Sequence, residues 1–210
     1  MRGKYIVIEG PFSCGKSKQT QLLVDAIRRD NDGGCVQTRE PGGTLAGEGI
    51  REILLATREP VLSVRTEFLL FSAARAELAE SIRGWLKRDL NVVSDRSWLS
   101  SLVYQGMLKG LDKVEICEIT DFALDELEPD LVIYLQAKPE AIAERTAERG
   151  DGHRFHRFEP QAVVEAYDHV MRDWIDNVAF VDASGHPEEV HSRVYTAVRA
   201  HFAAPDPSDA

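Results

Sequence analysis

Residues Gly10 to Ser17 read GPFSCGKS, which fits the pattern G-x-x-x-x-G-K-S. Each fixed position has a task in holding a polyphosphate. Gly10 and Gly15 let the backbone curl until successive N–H groups point inward and form a nest for anionic oxygens. A helix opening directly after the loop adds the positive end of its dipole. Lys16 reaches β- and γ-phosphates, and the Ser17 hydroxyl suits Mg²⁺. Pro11, Phe12, Ser13 and Cys14 complete the loop, Cys14 as a small filler rather than a redox group. The ligand this chemistry calls for is a nucleoside polyphosphate with Mg²⁺. A phosphate loop alone does not separate a kinase from a guanine-nucleotide switch or an ATP-driven motor. The guanine-specific N-K-x-D pattern is absent, and 210 residues leave little mass for a motor's partners. A small kinase needs a second pocket for its acceptor.

A second group of residues supplies one. Phe71 and Arg75 stand four apart on an expected helix and so share a face. Together they offer a ring to stack on a flat heterocycle and a guanidinium to bond its edge. In SDRSWLSSLVYQG, Asp95 and Arg96 close an apolar strand, and Ser100, Ser101, Tyr104 and Gln105 follow along an expected helix. Arg96 suits a phosphate, and Gln105 offers both a donor and an acceptor. TREPGGT, with Glu40 and Pro41, gives a turn able to line the same cleft. ERGDGHRFHRFEP, residues 148–160, places Arg149, Arg154 and Arg157 between two helices. Elsewhere such a segment is a solvated loop. Beside a phosphate loop it reads as a lid that closes cations over phosphates and excludes water.

These residues need a scaffold, and the pattern of the chain names it. The apolar runs KYIVIEG, CVQTRE, NVVSDR, DLVIYLQA and the weaker AFVDAS alternate with helical patterns. The first helix spans Lys16 to Arg29. A longer one, TEFLLFSAARAELAESIRGWLKR, sets Phe68, Phe71, Leu78 and Ile82 at helical spacing. Further helices begin near Pro139, Pro160 and Pro187, where a first-turn proline costs no hydrogen bond. Such alternation predicts an α/β fold with helices on both faces of a five-stranded parallel sheet, a three-layer α/β/α arrangement. One domain over residues 1–203 with a lid near 148–160, and a frayed tail over 204–210, is the expected organisation. With 43% hydrophobic and 29% charged residues the chain has the balance of a soluble globular protein. A net charge of −10 disfavours nucleic acid as partner, while small-molecule nucleotides need only a local arginine cluster. Three cysteines without paired or metal-ligand spacing point to a cytoplasmic setting, and no run predicts a membrane span or a signal peptide.

In chain order, YIVIEG with the loop, TREPGGT before GEGIR, LLFSAAR, DR with SSLVYQG, PDLVIYL and an arginine-bearing lid resemble the thymidylate kinase family. Its members phosphorylate dTMP to dTDP with ATP. The resemblance implies a P-loop kinase fold in which Phe71 stacks on thymine and Arg75 and Gln105 bond its edge. It implies that Ser101 makes a further base or lid contact, that Tyr104 excludes a ribose 2′-hydroxyl, and that Glu40 and Pro41 line the substrate side. Arg51 and Arg96 are implied as clamps on the acceptor phosphate, and Asp95, with Ser17, as the organiser of Mg²⁺ and Lys16. The loop holds no arginine, so the transition-state cation is implied to come from Arg149, Arg154 or Arg157 in the lid. A homodimer through the long helix carrying Phe68 and Leu78 is also implied.

Three positions depart from the family pattern. Phe12 stands where the loop usually carries an acid, Gln136 replaces the acid of YLD, and His156 replaces the acid before RFE. Two readings follow: ordinary dTMP chemistry with water or another carboxylate such as Glu9 substituting, or an altered acceptor, which is a modified thymidylate, another pyrimidine monophosphate or a nucleotide with a changed sugar. A regulator that binds nucleotide without turnover is the alternative of another class, against which Lys16, Ser17, Asp95 and Arg96 speak.

Overall fold

Strand β1 (Tyr5–Glu9) decides the architecture, because all five of its residues are buried. Tyr5 and Val7 enter one apolar core and Ile6 and Ile8 another, as alternating side chains on a doubly covered strand must. In the computed structural model, which describes residues 3–30, 34–56, 62–149 and 158–203, four strands join it. They are β2 (Cys35–Arg39), β3 (Asn91–Asp95), β4 (Leu131–Gln136) and β5 (Val178–Asp182). The order is β2-β3-β1-β4-β5, and every neighbouring pair is parallel. The five-stranded parallel sheet expected from the sequence is the sheet observed.

Helices α1 (Lys16–Arg29) and α8 (Pro187–Ala203) pack against each other and cover the face carrying Ile6, Ile8, Val93 and Ile133. The opposite face lies under α3 (Val64–Leu86), α5 (Lys113–Leu124) and α7 (Pro160–Asp173). Helix α2 (Leu45–Leu55) packs on α3, and α6 (Pro139–Arg149) follows β4. Side chains fix several starts: Thr44 caps α2, Ser63 caps α3, and Asp112 accepts from the Val114 and Glu115 amides at α5. Helix α5 is not among the elements expected from the sequence. Its buried stripe of Ile116, Thr120, Ala123 and Leu124 is blurred there by Val114 and Phe122, which point to solvent.

Two expectations are corrected here. The segment after Arg96 is not a plain α-helix: a short α4 (Leu99–Ser101) passes into a π turn over Leu102–Met107. The Leu108 amide donates to the Val103 carbonyl at 3.0 Å, the i→i+5 bond of that geometry. A wider turn brings successive side chains closer in angle, and the adjacent Tyr104 and Gln105 both line one cavity. The second correction concerns α3. Phe68 and Leu78 are each 1% exposed within the chain's own core, so neither is available to a second subunit.

Register explains why the chemistry gathers at one edge. Ile8 of β1 lies opposite Asp95 of β3 and Ile133 of β4. Asp95 therefore ends its strand beside the loop that leaves β1, at the carboxyl edge where open parallel sheets hold ligands.

Candidate active site

The loop after β1 has the backbone that its glycines permit. Gly10 and Gly15 have φ of 149° and 100°, and a Cβ on Gly10 would lie 2.8 Å from the Leu135 carbonyl oxygen. The Lys16 ammonium is buried and donates to the Pro11 carbonyl at 2.5 Å, with Cys14 Sγ 3.6 Å away. Burial, with the Arg96 charge nearby, lowers its proton affinity. Ser17 Oγ donates to Asp95 Oδ2 at 2.5 Å. Ser13, itself at φ 57°, accepts a bond of 2.9 Å from the Thr146 hydroxyl on α6, which ties that helix to the loop.

The second group of candidate residues is built on α3 and on the segment after β3. Arg75 is 1% exposed; its Nε donates to Glu40 Oε2 at 2.9 Å and its Nη2 to Ser101 Oγ at 3.1 Å. Its Nη1 is buried with no hydrogen-bond partner among the described residues. A free donor in that position invites an oxygen from a ligand. Gln105 Nε2 donates to Glu67 Oε1 at 2.6 Å, and Phe71 is half-buried beside them at the cavity wall. Arg51 Nη1 donates to the Pro41 carbonyl at 2.8 Å, and burial followed by the Arg39 charge lowers its proton affinity.

Arg96 adopts φ 79°, uncommon for any residue but glycine, and its Nη1 reaches Tyr167 Oη at 2.7 Å, Ser100 Oγ at 3.0 Å and the Gly10 carbonyl at 3.3 Å. Burial opposes its charge, and the oxygens of Tyr167, Tyr104, Glu9 and Asp95 more than offset this, raising its proton affinity above that of a free guanidinium. Glu9 is fully buried and accepts from the Ser97 amide, the Ser97 and Ser100 hydroxyls and Tyr167 Oη. Both of its oxygens are thus spent on holding the segment after β3, which corrects the expectation that Glu9 could stand in for the acid missing at Phe12.

One cavity of about 330 Å³ joins the two groups. Phe12, Ser13, Gly15, Lys16 and Ser17 line it from the loop, and Asp95 and Arg96 from the end of β3. Glu40, Pro41, Arg51, Phe71, Arg75, Ser101, Tyr104 and Gln105 line the remainder. Gly10, Pro11 and Cys14 shape the loop through their backbone and packing. Arg149 is the last residue of α6, and Arg154, His156 and Arg157 lie outside the described residues. Gln136 ends β4, its carbonyl accepting from the Ala183 amide.

The thymidylate kinase family model matches residues 8–194, a span that holds both halves of this cavity. The chain belongs to the thymidylate kinase family. It is 35% identical over 209 residues to the thymidylate kinase of Caldanaerobacter subterraneus, covering 96% of this chain and 98% of that one. The thymidylate kinase of Malacoplasma penetrans is 32% identical over 204 residues, covering 92% and 94%. That of Pseudomonas entomophila is 41% identical over 167 residues, covering 79% of each chain.

The site also fits the metal that thymidylate kinases use. Ser17 and Asp95 converge two hard oxygen donors, and among the described residues no cluster of three acidic, His or Cys side chains forms a closed cage. Mg²⁺ favours such sparse protein ligation, completed by phosphate oxygens and water. Sequence reasoning missed three supports. Tyr167, 71 residues beyond Arg96, left no local signal. Glu67 did leave one, since it precedes Phe71 by the same four residues that separate Phe71 from Arg75. Lys109 Nζ, 2.5 Å from Glu67 Oε1, likewise follows Gln105 by four.

Proposed function

We propose that this thymidylate kinase family member transfers the γ-phosphoryl group of ATP to dTMP, yielding ADP and dTDP. The observation that carries the reading is the shared cavity, in which Lys16 and Ser17 face the same space as Phe71, Arg75, Arg96 and Gln105. The loop amides and Lys16 hold the donor's phosphates. Phe71 offers its ring to the thymine, Arg75 Nη1 donates to the 4-oxo group, and Tyr104 closes the sugar side against a 2′-hydroxyl. Arg51 and Arg96 hold the acceptor phosphate in line. One of its oxygens attacks the γ-phosphorus as the bond to the β-phosphate oxygen breaks, with no covalent enzyme intermediate. The transition state is loose, so positioning and charge neutralisation carry the rate. Ser17 and Asp95 would hold Mg²⁺, whose charge would supply part of that neutralisation. A cation from Arg149, Arg154 or Arg157 adds to it.

ADP release measured over dTMP, dUMP, 5-substituted dUMPs and dCMP tests the reading. Turnover with dTMP is expected to exceed that with dCMP by about a hundredfold or more in kcat/KM, because an amino group replaces the oxygen that Arg75 awaits. A modified pyrimidine is the second reading, favoured by the buried Phe12 ring in the cavity wall. It replaces the first if dTMP is inert while a 5-substituted dUMP turns over fast.

A homodimer belongs to the same proposal, formed through the outer side of α3, where Leu69 is 53% exposed. Sedimentation velocity is expected to give twice the chain mass, and Leu69→Glu to shift the boundary towards the single chain. A cytoplasmic setting is supported by Cys14, Cys35 and Cys117, all free thiols, and no helix of the described residues is long and apolar enough to cross a membrane.

A further inference from the structure

Gln105 reads a base only if its amide is held one way round. A glutamine side chain presents an N–H₂ donor or a carbonyl acceptor, and the two ends exchange by rotation about one bond. An ionised carboxylate accepts hydrogen bonds and donates none. Glu67 is 0% exposed, Gln105 is 1% exposed, and the Nε2 to Oε1 distance is 2.6 Å. Turning the Gln105 amide over would set two acceptor oxygens against each other inside the protein, a costly arrangement where water cannot intervene. Lys109 Nζ, at 2.5 Å from the same Glu67 oxygen and largely buried, forms an ion pair with the carboxylate. Lys109 Nζ also stands 5.9 Å from the Phe158 ring centroid, a cation–π contact that holds it beside Glu67.

We propose that Glu67 is a positioning residue that sets base selectivity, by locking the Gln105 amide with its donor inward and its carbonyl oxygen offered to the cavity. The inference rests on the reading of this cavity as the acceptor site. A carbonyl offered to the ring edge demands a donor in return. Thymine and uracil carry N3–H and meet that demand; cytosine carries a bare N3 and opposes it with a second acceptor. Arg75 Nη1, the donor nearby, reads the adjacent 4-position in the complementary sense. Glu67 therefore touches no substrate and still decides which pyrimidine is accepted.

The test is Glu67→Gln, which keeps the shape and removes the acceptor-only constraint. The amide introduced at this position can accept or donate, so Gln105 becomes free to turn its N–H₂ towards the cavity. The ratio of kcat/KM for dTMP over dCMP is expected to fall about tenfold or more, with KM rising for dTMP and falling for dCMP. A structural role alone would lower both substrates together. An unchanged ratio, or an equal loss on both, overturns the proposal. If removing the anion beside Lys109 prevents folding, Glu67→Gln with Lys109→Met removes both charges and the same ratio is read. The wild-type protein run alongside keeps the two readings apart: failure to phosphorylate both dTMP and dUMP rejects the acceptor site itself, whereas normal wild-type turnover with an unmoved ratio in the variant rejects only the role of Glu67.

Discussion

Lys16→Met is expected to lower kcat by about a thousandfold or more while leaving the ligand-free protein at least as stable as the native chain. The two effects share one cause. The fold holds the ammonium out of water, where its bonds to the Pro11 carbonyl and the Cys14 sulfur replace hydration poorly. On the proposed mechanism, donor phosphates complete its coordination during turnover. Methionine keeps much of the volume and none of the charge, so the transferring phosphoryl group loses a fixed cation and the empty loop loses a desolvation cost. The pH dependence follows the same sign. The folded state lowers the Lys16 proton affinity below the ordinary lysine value of 10.5, so over the interval beneath that value the unfolded chain binds more protons. This group's contribution to stability therefore rises with pH across that interval and is least favourable below it. Thermal melts of both proteins across alkaline pH check this: the difference in Tm is expected to shrink as pH rises. A variant that stays active, or melts well below the native chain, contradicts the role given to Lys16.

Glu40→Ala is expected to produce the largest loss of stability, about 3–5 kcal/mol. Arg75 and Glu40 are 1% and 7% exposed, and removing the carboxylate strands a guanidinium inside the protein. Burial raises the Glu40 proton affinity and the Arg75 charge offsets part of that rise, the balance of a desolvated carboxylate retained by its partner. Urea denaturation measures the cost. The double variant Glu40→Leu with Arg75→Met, which leaves no orphaned charge, is expected to recover most of the stability and none of the dTMP turnover. Equal destabilisation by single and double variants would show that packing, rather than charge pairing, holds this corner. Recovery in the double variant would mark the pair as the cost of keeping Arg75 Nη1 free to meet a base.

The parts of this architecture that are legible in the chain are those set by local rules. The loop announces itself because glycine, lysine and serine at fixed offsets have no common alternative use after an apolar strand. β1 is legible because five consecutive apolar or enclosed residues cannot sit on a surface. What escapes depends on distant partners. Tyr167 reaches Arg96 through tertiary packing alone, and the π turn over Leu102–Met107 follows from how the segment meets its neighbours, Gly106 fitting closely against Ile116. The long apolar helix α3 is plain as a helix, yet its role is harder to assign, because apolar residues seek burial without recording whose core provides it. Phe68 and Leu78 chose their own. The cavity residues Phe71, Arg75 and Gln105 are recognisable by type and spacing. Glu67, which orients the last of them, shares their spacing, but a lone acid on a helix carries no local mark of its burial.

Arg96 delivers its guanidinium from a left-handed backbone that glycine would occupy more cheaply. Glycine at position 96 would relax the main chain, yet it would delete the bonds to Tyr167, Ser100 and the Gly10 carbonyl and strip the buried Glu9 of a neighbouring positive charge. A campaign for heat tolerance on this scaffold therefore gains nothing at position 96 and does better to leave its strained backbone alone.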